Sequence, residues 1–161
     1  MAKLDDLRGR QDPAMTFAFE ARITGPGGDY EPLEIEDVIL PFGSIRAEPV
    51  FRNGKNYYYA KMYDISTVSV RFYEDVEMKV TKKLAAWKKI IKNERGDYGV
   101  KSDYEAVLTL TTKKYPTNET GTVFKIKGLF PVSTESYQYQ SAQSERLIVS
   151  QEFSCDDIEI S

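Results

Sequence analysis

Short alternating runs of apolar and polar residues dominate the chain. Met15 to Thr24 places Phe17, Phe19 and Ile23 on one face, as a half-buried strand does. Gly25-Pro26-Gly27-Gly28-Asp29 breaks it, and Leu33 to Leu40 resumes it. There Leu33 and Ile35 fall on one side and Val38 and Leu40 on the other, which predicts a bulge or burial on both sides. After a second break at Pro41-Phe42-Gly43, Ile45–Phe51 and Asn56–Met62 flank Arg52-Asn53-Gly54-Lys55. Asn-Gly between two aromatic-rich runs predicts a tight hairpin, because both residues tolerate positive φ. Thr67–Tyr73, with Val68, Val70 and Phe72 on one side, is a further strand.

The period then changes. Val76, Val80, Leu84, Trp87 and Ile91 recur at spacings of four, four, three and four, which predicts one amphipathic helix over 75–95. Asp75 is placed to cap its start and Gly96 to stop it. Alternation returns at Glu105–Thr112, with Ala106, Leu108 and Leu110 on one face, and again at Thr122–Leu129, which Pro131 is expected to end. Ser136–Gln140 and Arg146–Phe153 complete the pattern, the latter with Leu147, Val149 and Gln151 set against Ile148 and Phe153. The reading is α+β, mainly β: about eight strands with one helix inserted after the fifth.

The length of 161 residues fits one domain, 1–161, with a sizeable core. Residues 1–13 read as a polar arm with no signal-peptide pattern, and no apolar run reaches the ~18 residues of a membrane span. Eleven Tyr and eight Phe suit pleated surfaces. The net charge of −3 argues against general nucleic-acid affinity, but it is unevenly spread. Segment 75–95 has seven basic and three acidic residues, a net +4, which leaves −7 on the rest.

Candidate chemistry is sparse. With no histidine, the commonest general base and zinc ligand are missing, and Cys155 is the only cysteine. Cys155 reads as a packed strand residue, with an intermolecular disulfide as the sharper alternative. The neighbouring acids Glu36/Asp37, Glu74/Asp75 and Asp156/Asp157 read as surface charge, since neighbours on a strand point to opposite faces rather than into one cleft. Gly25-Pro26-Gly27-Gly28 lacks the Lys-Ser/Thr ending of a phosphate loop. Tyr57-Tyr58-Tyr59 is divided between two faces by the alternation, so it suits packing better than base stacking. No enzyme, metal or cofactor is expected.

Three stretches carry a resemblance. Leu40-Pro41 through Glu48-Pro49-Val50-Phe51-Arg52-Asn53-Gly54-Lys55, the helix Lys83-Leu84-Ala85-Ala86-Trp87-Lys88-Lys89-Ile90, and Ile126-Lys127-Gly128-Leu129-Phe130-Pro131-Val132 resemble, in order and spacing, the T4-type tail tube family of contractile phages. Phe130 stands where Trp is common in that family, and the helix is more basic than is usual there. The resemblance implies a β-sandwich or barrel whose sheets join, six subunits to a ring, into a continuous inner barrel. Stacked rings would form a tube inside a contractile sheath, through which DNA passes without specific binding. The implied partners are further copies of the chain, the sheath protein, and baseplate and tail terminator proteins. The implied location is the virion, assembled in the host cytoplasm. Related tubes of pyocins and type VI secretion are the alternative machine.

On this reading Phe51, Arg52, Asn53, Gly54, Lys55, Tyr57 and Tyr59 are candidate inter-ring or inter-subunit contacts. Lys79, Lys82, Lys83 and Lys89 are candidate sheath-facing residues, and Val80, Leu84, Trp87 and Ile91 form the helix's core face.

Overall fold

A computed structural model of the protein describes residues 16–26, 28–137, 139 and 146–161. The expected polar arm over 1–13, the strand start at Met15, Gly27 and the short strand's end at Gln140 lie outside the described residues. In chain order the elements are β1 (Phe19–Thr24), a 3-10 turn (Pro32–Glu34), β2 (Ile35–Ile39), β3 (Ser44–Arg52), β4 (Lys55–Asp64) and β5 (Val68–Tyr73). There follow α1 (Lys79–Ile91), α2 (Lys101–Tyr104), β6 (Ala106–Lys114), β7 (Glu119–Pro131), β8 (Ser136–Tyr137), β9 (Ile148–Ser154) and β10 (Asp157–Ile160). The fold is mainly β, with the longer helix after the fifth strand.

Eight strands form one antiparallel system in the order β1-β6-β7-β9-β5-β2, with β10 added to β7 and β8 to β9. Its two outer strands, β1 and β2, approach each other beside the 3-10 turn, so the sheet curls around a core. Strand β7 serves both halves. Its first part pairs with β6 on one side and β10 on the other, and its last residues, Phe130 and Pro131, pair with β9. The change of partner comes just after Gly128, which sits at φ +69° in the left-handed region. A Cβ there would collide with the Asp156 carboxylate in the turn between β9 and β10. Only glycine meets both conditions without strain.

The alternation reads directly into burial. Val68, Val70 and Phe72 of β5 and Ala106, Leu108 and Leu110 of β6 point inward, as do Ala21 and Ile23 of β1. The mixed pattern of β2 resolves as a bulge between Ile35 and Asp37. Phe153, set opposite Val149 and Gln151 in the sequence pattern, shares their inward face, because the three lie at even spacing along β9. Pro131 ends β7 as expected, and is itself the last paired residue, opposite Phe153.

Helix α1 closes the open side of the curled sheet. Val80, Leu84 and Trp87 are buried, and Ile91 packs against the core's margin. The Trp87 ring lies 5.6 Å from Phe153 and 6.3 Å from Tyr30, which in turn contacts Phe72 at 5.1 Å. Trp87 Nε1 donates to the Tyr104 carbonyl at 2.6 Å, so its one polar atom is satisfied. Burial pushes the Tyr30 phenol well above its ordinary pKa, reinforced by Glu34, Glu135 and Glu74.

The helix is shorter than 75–95, and its start differs from the expected Asp75 cap. Met78 occupies the N-cap position in a left-handed conformation, at φ 55°. The cap is supplied chiefly by Glu74, which is 3% exposed. Its Oε1 accepts from Val80 N at 3.0 Å, and its Oε2 accepts from Thr81 N at 2.9 Å and Thr81 Oγ1 at 2.7 Å. Among the helix N–H groups, Asp75 accepts from Lys79 N, at 3.1 Å. That bond and the Lys79 ammonium hold the Asp75 carboxyl below its ordinary range. Val76, expected on the apolar face, precedes the helix and is fully exposed. Gly96 does not stop the helix, which ends at Ile91; it closes a later turn built on Asn93, whose side chain accepts Arg95 N and Asp97 N.

Gly128→Ala is expected to destabilise the fold by about 1–3 kcal/mol, from a strained φ and a displaced Asp156. Chemical denaturation measures it, and an unchanged midpoint would show that β7 does not need glycine at its bend.

Candidate assembly surface

Strands β3 and β4 stand apart from the body as a separate two-stranded sheet. All their residues are exposed. Pairing runs from Ser44↔Asp64 to Arg52↔Lys55, with one bulge between Arg46 and Ala47. The turn residues Asn53 and Gly54 both have positive φ, 51° and 77°, as a tight primed turn requires.

Such an arm is at best marginally stable alone, and its supports are local. Lys61 Nζ lies 2.6 Å from Glu48 Oε1, and Arg46 Nη2 lies 3.2 Å from Asp64 Oδ2. At the base, Leu40 and Ile65 pack against the core from either side of the hairpin, and Phe42 meets Phe124 of β7 edge-on at 6.0 Å. The Tyr63 ring lies over Gly43 so closely that any Cβ at position 43 would collide with it. The arm therefore has a fixed root and a free shaft.

The register divides the shaft into two unlike faces. Beyond the bulge, Ala47, Pro49, Phe51, Asn56, Tyr58 and Ala60 share one face, which carries no charge. Val50, Arg52, Lys55, Tyr57 and Tyr59 share the other with the Glu48–Lys61 pair. Phe51 thus lies on the opposite face from Tyr57 and Tyr59. Both faces carry exposed aromatic rings: Phe51 is 71% accessible and Tyr58 67%, against 47% and 55% for Tyr57 and Tyr59. Tyr58, read with its neighbours as a packing or subunit-contact residue, belongs to this exposed surface, as do Ile45, Met62 and Tyr63, which are not among the candidate contacts; continuing the alternation past Tyr59 reaches Met62 and Tyr63.

The lysines of α1 separate into two classes. Lys83, expected to face outward, is turned back onto the body. Its Nζ reaches Glu34 at 2.9 Å and the Asp29 carbonyl at 2.8 Å, and lies 5.1 Å from the Tyr30 ring centroid. The residue shares the sheet-facing flank of the helix with Val80 and Trp87, so its long stem covers Tyr30 while its head finds Glu34. Lys88 is held similarly by Glu135 at 2.7 Å. Lys79 is exposed but paired with Asp75 at 3.3 Å, which raises its pKa. Lys89 has only the distant, exposed Glu94 at 3.7 Å, and Lys82 has no ion pair among the described residues. The open cationic face is therefore Lys82 and Lys89, with Ala85, Ala86 and Ile90 exposed between and beside them.

The acidic neighbours also have structural partners. Glu36 and Asp37 pair with Arg71 at 3.2 and 3.0 Å, Glu74 caps α1, and Asp156 pairs with Lys101. Cys155 is buried, and burial beside Asp156 and Asp157 pushes its thiol pKa up, so it is a poor nucleophile. Among the described residues no group of His, Cys, Asp or Glu is placed to hold a metal ion, and no helix is long and apolar enough to cross a membrane.

No family model and no curated protein matches the chain. Solved structures do. The sheath/tube terminator structure of the extracellular contractile injection system PVC, in its extended state, contains a chain that superposes with a TM-score of 0.72 at 10% identity, covering 94% of this chain and 98% of that one. The PVC sheath-tube complex contains another, with a TM-score of 0.70 at 10% identity, covering 100% and 99%. Hcp1 from Flavobacterium johnsoniae is more distant, with a TM-score of 0.51 at 12% identity over 88% and 94%. The likeness is one of fold, shared with these chains of contractile injection system structures and with Hcp1.

Lys83→Ala is expected to cost about 1 kcal/mol of stability, because it strips a partly buried carboxylate and a carbonyl of their partner. Lys82→Ala and Lys89→Ala are expected to stay within about 0.5 kcal/mol. Urea midpoints of the three variants check this, and equal losses would contradict the division.

Proposed function

We propose that this chain is a structural subunit of the inner tube of a contractile injection system, self-assembling into stacked hexameric rings. The observation that carries the reading is the β3–β4 arm, an aromatic shaft exposed on both faces and rooted in a body with the tube-type fold. Exposed apolar surface on this scale marks a protein interface. An arm that docks on another copy's body makes a heterologous contact, which closes into a ring or continues as a filament. The outer edges of β1 and β2 are where neighbouring bodies would join into a continuous barrel, removing edges that otherwise invite aggregation.

The candidate contacts are Phe51, Arg52, Asn53, Gly54, Lys55, Tyr57 and Tyr59 on the arm. Tyr58 joins them on the strength of its exposure. The sheath-facing set is best drawn as Lys82 and Lys89, with Lys79 at its margin. Baseplate and terminator proteins would meet the ends of the stack.

Two cargoes are compatible with the tube. In a phage tail the lumen would conduct DNA, and the chain's net charge of −3 suits a wall to which phosphate does not adhere. In a pyocin-like or type VI-like machine the chain would be a ring-forming tube or effector carrier, acting without a genome. The structural neighbours from PVC, an extracellular contractile injection system, favour the second setting. Tubes found joined to DNA-filled capsids would decide for the phage tail.

Electron microscopy of the purified protein is expected to show hollow tubes or stacked rings. Deleting Arg52–Lys55 is expected to leave a folded subunit that no longer polymerises, and normal-length tubes from that variant would refute the arm's role. Reversing Lys82 and Lys89 to Glu is expected to leave bare tubes intact and weaken co-assembly with the sheath; undiminished sheath binding would remove α1 from that contact.

A further inference from the structure

The arm's two faces differ in chemistry, and that difference goes beyond the statement that the arm mediates assembly. The face of Phe51 and Tyr58 carries no charge over its six positions beyond the bulge. The opposite face ends in Arg52 and Lys55, directly across the ladder from each other. Like charges in that position destabilise a hairpin, and neither side chain has a carboxylate partner among the described residues. A cationic pair at the tip of a projecting arm suits an anionic surface outside its own subunit.

Net charge favours other copies of the same chain as that surface. Residues 44–64 carry four basic and two acidic side chains, a net +2, so with −3 overall the rest of the chain carries −5. Arm and body are therefore of opposite net charge between copies. Size makes a second argument. Ten residues of β4 at ~3.3 Å each, two strands wide, give a shaft of roughly 33 by 10 Å, or about 330 Å² per face. A stable interface buries about 800 Å² per partner. One face supplies under half of that, so an arm docked by one face alone is weakly held. Docking one face alone would also leave an aromatic face in water.

We propose that the arm is gripped between two different copies of the chain. The uncharged face of Phe51 and Tyr58 makes a dry contact with one copy. The cationic face of Arg52, Lys55, Tyr57 and Tyr59 makes an electrostatic contact with the acidic body of another. The proposal rests on the self-assembly reading and adds that each face makes a separable contact.

The test compares the full chain, Phe51→Ser/Tyr58→Ser, Arg52→Glu/Lys55→Glu, and the quadruple variant. Sedimentation velocity and negative-stain microscopy are run at about 0.05 and about 0.5 M salt. All changed side chains are exposed, so circular dichroism and thermal melts are expected to match the parent; a variant that fails this control is replaced by Phe51→Thr/Tyr58→Thr or Arg52→Gln/Lys55→Gln. Each double variant is expected to stop at a smaller species than the parent, and the quadruple variant at a smaller species than either double variant. Salt is expected to shorten assemblies of the parent and of Phe51→Ser/Tyr58→Ser, but to lengthen those of Arg52→Glu/Lys55→Glu, whose like-charge repulsion it screens. If either double variant is already as small as the quadruple variant, the arm makes one contact and the two-copy grip is wrong. If either assembles like the parent, its face is free or belongs to another protein, and the proposal again fails. A parent chain that never assembles would overturn the self-assembly reading itself, which separates the two failures.

Discussion

Strand β7 has to belong to both halves of the curled sheet, and the rest of the body depends on how it manages this. Its first part is flanked by β6 and β10, and its last two residues pair with β9. The transition follows a left-handed residue at Gly128, packed against Asp156 so tightly that no side chain fits. Because β7 turns there, β9 can carry Phe153 against Trp87 and Phe72. The Asp156 turn then returns the chain to pair β10 with β7, and Lys101 of α2 holds that turn in place. The segment through Lys127-Gly128-Leu129-Phe130-Pro131, which carried the closest sequence resemblance, is thus the hinge between the sheet's two halves.

Around this hinge the polar groups near α1 hold the body together. Glu74 is nearly inaccessible, but its carboxylate accepts the first free N–H groups of the helix, where the dipole favours negative charge. Lys83 and Lys88 tie the helix to the 3-10 turn and to Glu135. These ion pairs are partly buried and supported by carbonyls, so they constrain geometry more than exposed pairs do. The consequence for function is a reduction. A helix that looks uniformly basic in sequence presents a much smaller open cationic surface, centred on Lys82 and Lys89.

The arm is the opposite case, in which local bonding completes a structure that leaves its apolar surface unused. The hairpin is correctly capped at its turn and anchored at its root, yet none of its strand residues reaches the core. Aromatic side chains on both faces have a free-energy gain available only from outside the subunit, at roughly 25 cal/mol for each Å² removed from water. A body whose apolar surface is covered and an arm whose apolar surface is not are what support the proposed self-assembly.

Much of this was legible along the chain. Period-two alternation set the inward faces of β5 and β6, the Asn53-Gly54 pair set the hairpin turn, and the spacing of Val80, Leu84 and Trp87 set the helix's buried side. These are local consequences of backbone geometry, and each is determined within a few residues. The misses were non-local. Val76 continues the helical period but lies before the helix, because Glu74 caps from a strand end. Lys83 has the same composition and nearly the same position as Lys82, yet one turns inward, because the 3-10 turn places Glu34 beside it from almost fifty positions away. Sequence alone determined which faces are apolar. Only the tertiary structure decided which of them are covered, since coverage depends on partners brought together by the curl of the sheet, and it left both faces of the arm open.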